Sequence, residues 1–140
     1  MNYRLSSAVV RPLGKVGFII EVGGKELVKY VGSVRGDNLK SETLRVITMG
    51  LRSTRPFIKH DDTLVIEVPN VHLCEWLGGK VEQKDYVAEI DDLYGVLESL
   101  DCKYKFMFVK NPYAKKIVET TKKTEVVSGS SVMDSMSEFE

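Results

Sequence analysis

Residues 62–77 read DTLVIEVPNVHLCEWL, and the change of pattern inside this stretch decides the architecture. Leu64, Val65, Ile66 and Val68 make a nearly continuous apolar run, the mark of a strand covered on both faces beside parallel neighbours. This predicts a strand at the centre of a sheet. Pro69 cannot donate to a ladder, and Asn70 is a residue type that caps helices. Leu73, Trp76 and Leu77 then recur at helical spacing until Gly78-Gly79 stops the helix.

Moving outward toward the N-terminus, residues 3–10 and 16–22 are β-rich runs separated by Arg11, Pro12, Leu13 and Gly14. Gly23-Gly24 is a hairpin turn that folds residues 18–22 back on residues 27–34, so the chain opens as a three-strand meander. In DNLKSETLRVITMGL, residues 37–51, the residues Leu39, Thr43, Val46, Ile47, Gly50 and Leu51 share one face at helical spacing. That helix is expected to stop near Ser53 and Thr54, because Pro56 disfavours helical backbone just before it.

Toward the C-terminus, Ile90, Leu93, Leu97 and Leu100 predict a helix over residues 86–100. In KYKFMFVKNPYAKKIVE, residues 103–119, Lys103 and Lys105 alternate with Tyr104, Phe106 and Phe108. This predicts an outer strand with its aromatic face in the core. Asn111 as cap and Pro112 at the first helical position start a final helix through Ile117 and Val118. Beyond Thr124 the core-forming pattern ends, which gives a domain over 1–124 and a flexible acidic tail over 125–140.

A chain of 140 residues with 43% hydrophobic content supports one core. Its 20 basic and 20 acidic residues cancel, so bulk charge does not advertise nucleic-acid binding. From Glu125 onward the only charges are Glu125, Asp134, Glu138 and Glu140. That stretch carries −4 and leaves the body at +4. Cys74 and Cys102 lack metal-ligand spacing and read as small core hydrophobes. No signal-like start and no membrane-length apolar run is present, so the expected location is cytoplasmic and no membrane partner is expected.

The order β-β-β-α-β-α-α-β-α, with the three quoted stretches, resembles the ribonuclease H-like superfamily over nearly the whole body. The resemblance implies a five-stranded mixed sheet, a three-strand antiparallel meander plus parallel strands, flanked by helices. It also implies a Mg²⁺ or Mn²⁺ site built from carboxylates on the first strand, the first helix, the end of the central strand and the last helix. On this chain those positions fall at Ser6 or Ser7, at Glu42, at Pro69 or Asn70, and near Val118. Only Glu42 keeps the family's residue type, and a single carboxylate does not hold two hard cations.

The leading expectation is therefore a non-catalytic binding module, an adaptor or inhibitor acting on a nucleic-acid-processing complex, without a cofactor. Analogy with small proteins of eroded catalytic sites points to a viral accessory factor. Two alternatives stand beside it. One is a divergent nuclease using Glu42, Glu67 and Glu119 around Mg²⁺ or Mn²⁺; the other is nucleic-acid binding without cleavage through Arg45, Arg52, Arg55, Lys59, Lys115 and Lys116. The plainer reading of Glu42 is a solvated or capping residue favoured by the helix dipole. The lysines of the last segment have a plain reading too, as dipole complements at a helix C-terminus.

His60 and His72 read as surface residues, and Asp91-Asp92 as part of a wet helix face. The tail segment SSVMDSMSEFE, residues 130–140, places Val132, Met133, Met136 and Phe139 on one side of a helix. Such a peptide suits docking to a protein partner. The sequence leaves the oligomeric state open.

Overall fold

Gly23 and Gly24 both take positive φ, 57° and 79°, the backbone of a two-residue hairpin turn that residues with a Cβ disfavour. They join β2 (Lys15–Val22) to β3 (Lys25–Ser33). Before them, β1 (Asn2–Val10) pairs antiparallel with β2 across a 3-10 turn at Arg11–Leu13. The meander thus forms as expected. The structure, a computed structural model, describes residues 1–79 and 85–121, with the backbone of Glu125–Val126.

Asn38 then caps α1 (Leu39–Thr54), its side chain accepting from the Ser41 N–H at 3.0 Å. The chain continues through β4 (Thr63–Val68), α2 (Val71–Leu77), α3 (Val87–Ser99), β5 (Lys103–Phe108) and α4 (Tyr113–Thr120). Asn70 caps α2 as its sequence position predicts, accepting from the Leu73 N–H at 3.0 Å. The strand order is β5-β4-β1-β2-β3-β6, with β1, β4 and β5 parallel to one another. The five expected strands are all present. β6 (Glu125–Val126) adds a short pairing to Tyr30 and Val31 on β3, so the expected tail begins with a strand.

Strand alternation sends Leu5, Phe18, Ile20, Ile66 and Val68 to one face of the sheet, where they pack with Leu44, Ile47 and Leu51 of α1 and with Leu93 and Leu97 of α3. Burying each such side chain stabilises the fold by about 1.5–3 kcal/mol. The other face carries a separate, smaller cluster, in which Ala8, Val10 and Ile19 meet Ala114 and Val118 of α4. Both helices approach the sheet over a glycine. A Cβ at Gly50 would lie 2.5 Å from Leu5 Cδ1, and one at Gly17 would lie 2.6 Å from Val118 Cγ2.

Three expectations are corrected here. β4 lies inside the sheet between β5 and β1, not at its centre, and alternates instead of being apolar on both faces. Leu64, Ile66 and Val68 face α1 and α3, while Glu67 turns to the face of α4. Tyr104 and Phe108 are not core: they are 41% and 43% exposed, and Phe106 is only half-buried. β5 is an edge strand, and the seven-residue α2 is too short to cover it. Cys74 and Cys102 form no disulfide among the described residues and are only half-buried.

Candidate functional site

Parallel β1 and β4 end side by side. From there the connections diverge, β1 turning to β2 on one side and β4 leading through α2 and α3 to β5 on the other. Such a divergence opens a crevice at the carboxyl ends of the strands, where open α/β sheets place their ligands. Here it is a crevice of about 180 Å³ lined by Ala8 and Val9 of β1, Leu39 and Thr43 of α1, Pro69 and Asn70 ahead of α2, and Lys110, Pro112 and Lys115 at the entry of α4. Among the described residues its only ionisable lining groups are the two lysines, both exposed.

Glu42 sits in the first turn of α1, 5% exposed. Arg45 grips it with Nε at 2.9 Å from Oε2 and Nη2 at 3.0 Å from Oε1, and the Arg35 N–H donates to Oε1 at 2.7 Å. Burial by itself pushes this carboxyl up, but the Arg45 guanidinium and the N–H groups of Arg35 and Gly36 together outweigh it and hold Glu42 below the usual glutamate value. The residue is a clamp between α1 and the loop after β3. That corrects the expectation of a solvated side chain: a helix-start glutamate is here folded inward because the incoming loop has N–H groups to satisfy.

Glu67 is 6% exposed and faces the opposite side of the sheet. Its partners are Arg4, at 3.3 Å and itself 55% exposed, and the Ser6 hydroxyl. Desolvation raises this carboxyl, and Arg4 and Ser6 lower it only in part, so Glu67 lies above the usual value. Ser6 also accepts from the Ala114 N–H at 3.1 Å, capping α4 from a distant strand. That bond replaces the expected Asn111 cap, and Pro112 is the cap residue instead of the first helical one.

Glu119 lies exposed in the last turn of α4. The carboxylates of the nuclease alternative thus stand on both faces of the sheet and are not brought together. Among the described residues no group of three or more His, Cys, Asp and Glu side chains is placed to hold a metal ion. These donors do not fit a two-metal centre. Of the other positions named by the resemblance, Ser6 is bonded to α4, the buried Ser7 hydroxyl has no hydrogen-bond partner among the described residues, and Val118 is core.

The basic residues predicted to bind nucleic acid are also separated. Arg45 is spent on Glu42, Arg52 reaches Asp92 at 3.5 Å, and Arg55 donates to Ser99 Oγ at 2.8 Å. Lys59 lies past the far end of α1, and Lys116 is exposed on α4. Only Lys115 lines the crevice, joined there by Lys110. Sequence reasoning noticed both lysines but set them at a helix C-terminus. Lys110 in fact precedes α4, Lys115 is in its first turn, and the last turn holds no basic residue. His60 and His72 are exposed, as expected. Val132, Met133, Met136 and Phe139 lie outside the described residues.

No protein-family model matches the chain, and no curated protein matches it. Solved structures do. RNase H1 from the halophilic archaeon Halobacterium salinarum NRC-1 superposes with TM-score 0.61 at 13% identity, over 83% of this chain and 88% of that one. The N-terminal RNase H domain of a Mycobacterium tuberculosis protein gives TM-score 0.62 at 11% identity, over 84% and 92%. LC11-RNase H1, solved in complex with an RNA/DNA hybrid, gives 0.59 at 10%, over 81% and 86%. The fold is ribonuclease H-like, as the order of elements implied. Among the described residues no helix is long and apolar enough to cross a membrane.

Proposed function

We propose that this chain is a non-catalytic binding module with a ribonuclease H-like fold and that its ligand is nucleic acid. The observation that carries the reading is the commitment of the buried carboxylates. Glu42 is consumed by Arg45 and the loop backbone, while Glu67 faces the other side of the sheet. Two metal ions need several oxygen donors converging on each, and these residues offer no such convergence. A module of this kind acts by occupying strands or by bringing a processing complex to them. Nucleic acid as the ligand is supported by the similarity to RNase H1 structures, one of them solved on an RNA/DNA hybrid.

The test is cleavage and binding measured together. The full chain, given Mn²⁺ and either RNA·DNA hybrid or single strands, is expected to leave both intact. It is expected to bind them at low salt with an affinity that falls steeply as salt rises. Mn²⁺-dependent turnover abolished by Glu42→Gln would overturn the non-catalytic reading. Absence of binding at low salt would overturn the choice of ligand.

A further inference from the structure

β5 ends the sheet, and among the described residues no strand pairs with its outer side. In a strand beside a parallel neighbour, alternate residues turn their N–H and C=O toward that neighbour and the others turn theirs away. The Lys103 N–H donates to the Asp62 carbonyl at 3.1 Å and the Val109 N–H to the Val68 carbonyl at 3.0 Å. Lys103, Lys105, Met107 and Val109 are therefore the residues bound to β4, and Tyr104, Phe106 and Phe108 direct their N–H and C=O out of the sheet.

The same three residues carry aromatic side chains. They stand beside Leu64, Ile66 and Val68, so their rings lie on the α1 and α3 face. A groove of about 610 Å³ runs along them, with Val71, Cys74 and Leu77 of α2 as its wall. Val71, Tyr104 and Phe108 in this groove are all exposed. An apolar edge with unpaired backbone groups is a template for another strand.

The strand that fits this edge is β5 itself. Consider antiparallel pairing about a two-fold axis that passes beside Phe106, perpendicular to the sheet. Tyr104 then lies opposite Phe108 of the second copy, and Phe106 opposite its own counterpart. Every outward N–H and C=O of the three residues meets an acceptor or donor. The axis keeps like faces together, so the rings of both copies form one layer of cross-strand aromatic pairs. On the opposite face Lys105 lies against Met107 and Lys103 against Val109, and no lysine faces a lysine. Slipping by two residues one way sets Lys105 directly on Lys105; slipping the other way leaves Tyr104 without an aromatic partner. A slip of one residue turns the aromatic face of one copy to the wet face of the other. One register thus satisfies backbone, rings and charge together.

We propose that β5 is a self-association edge, through which two copies of this chain join their sheets in the register that pairs Tyr104 with Phe108. The proposal is independent of the nucleic-acid reading. An aromatic side chain buries about 150–250 Å² when fully covered, so Tyr104 and Phe108, 41% and 43% exposed, each have roughly 60–110 Å² left to bury. Even with the backbone edge, this is well short of the about 800 Å² per partner of a standard interface. The dimer is accordingly weak and concentration-dependent, with Kd roughly between 10 µM and 1 mM.

The test follows the full chain by small-angle scattering and hydrogen exchange across about 10 µM to 1 mM. The scattering mass should climb toward twice that of one chain. Amide protons of Tyr104, Phe106 and Phe108 should gain protection with concentration, while those of Lys105 and Met107 stay protected throughout. Phe108→Pro removes an outward N–H that β4 does not use, a position where edge strands tolerate proline, and should weaken the dimer tenfold or more. Tyr104→Lys, which sets a charge against the opposite ring, should do the same. Leu13→Ser removes an equally exposed apolar side chain at the β1–β2 turn and should change nothing. Salt should strengthen the dimer, because Lys105 of each copy lies diagonally across from the other at about 7–8 Å. A chain that stays monomeric at about 1 mM overturns the proposal. So does a dimer that every folded variant leaves intact, since it forms elsewhere. Protection of Phe106 that does not change on dilution also overturns it, because the edge is then occupied within one chain.

Discussion

Glu42 and Glu67 are the same residue type, buried to the same degree, on opposite sides of one sheet, and their carboxyls move in opposite directions. Both lose water. Glu42 recovers more than it loses, because a guanidinium held in bidentate geometry and two backbone N–H groups surround it. Glu67 recovers less, because Arg4 is more than half exposed and keeps much of its own hydration. Burial alone thus says little about a carboxylate; the number and dryness of its donors decide. The contrast extends to the faces themselves, since the α1 side is sealed by a broad core and the α4 side by a small one.

The largest effect that can break this comparison is Glu42→Ala. It leaves a partly buried guanidinium and the Arg35 N–H without their acceptor, and should cost about 2–4 kcal/mol in urea unfolding. A loss below 1 kcal/mol would mean that the clamp is not structural. Next is Gly17→Ala. The new methyl meets the Tyr30 carbonyl oxygen and Val118 Cγ2, so α4 has to lift, at about 1–3 kcal/mol. The main core should keep its spectrum while resonances of α4 move.

The titrations sharpen the contrast further. Glu42 has a lowered pKa, so its stabilisation is complete above the ordinary value of 4.5 and is lost as pH falls through its folded pKa. Glu67 has a raised pKa, so the folded state holds its proton longer than the unfolded one does, and stability from this group falls as pH rises above 4.5. Carboxyl ¹³C shifts should give Glu67 the higher midpoint; the reverse order would refute the account of both. The smallest effect is Glu67→Gln. It removes the desolvation penalty and should stabilise the protein by at most about 1 kcal/mol at neutral pH, with the decline above pH 4.5 abolished.

Much of the fold was legible because its signals are local. The Asn70 cap, the Gly23-Gly24 turn and the stop of α1 at Thr54 each follow from a few adjacent residues. What failed was whatever depends on coverage. KYKFMF alternates as a half-buried strand does, but alternation does not tell how far a helix extends over it, and Tyr104 and Phe108 emerged exposed at the sheet edge. The start of α4 failed similarly, since its cap is Ser6, 108 positions away along the chain. The candidate site was half visible. Lys110 and Lys115 stood out by charge, whereas their union with Thr43, Asn70 and three helix starts belongs to topology.

The small cluster under α4 also has a dynamic consequence. An eight-residue helix fastened by Ala8, Val10, Ile19, Ala114 and Val118 forms a cooperative unit with a lower opening free energy than the main core. Amide protons of Ile117 and Val118 should therefore exchange with solvent well before those of Ile47 or Leu51. Because Lys115 rides on that unit, any ligand seated on it binds the closed form alone. At a hundredfold excess over its Kd such a ligand adds about 2.7 kcal/mol against opening. Hydrogen exchange along α4 would then report occupancy of the crevice, residue by residue, without a label on the ligand.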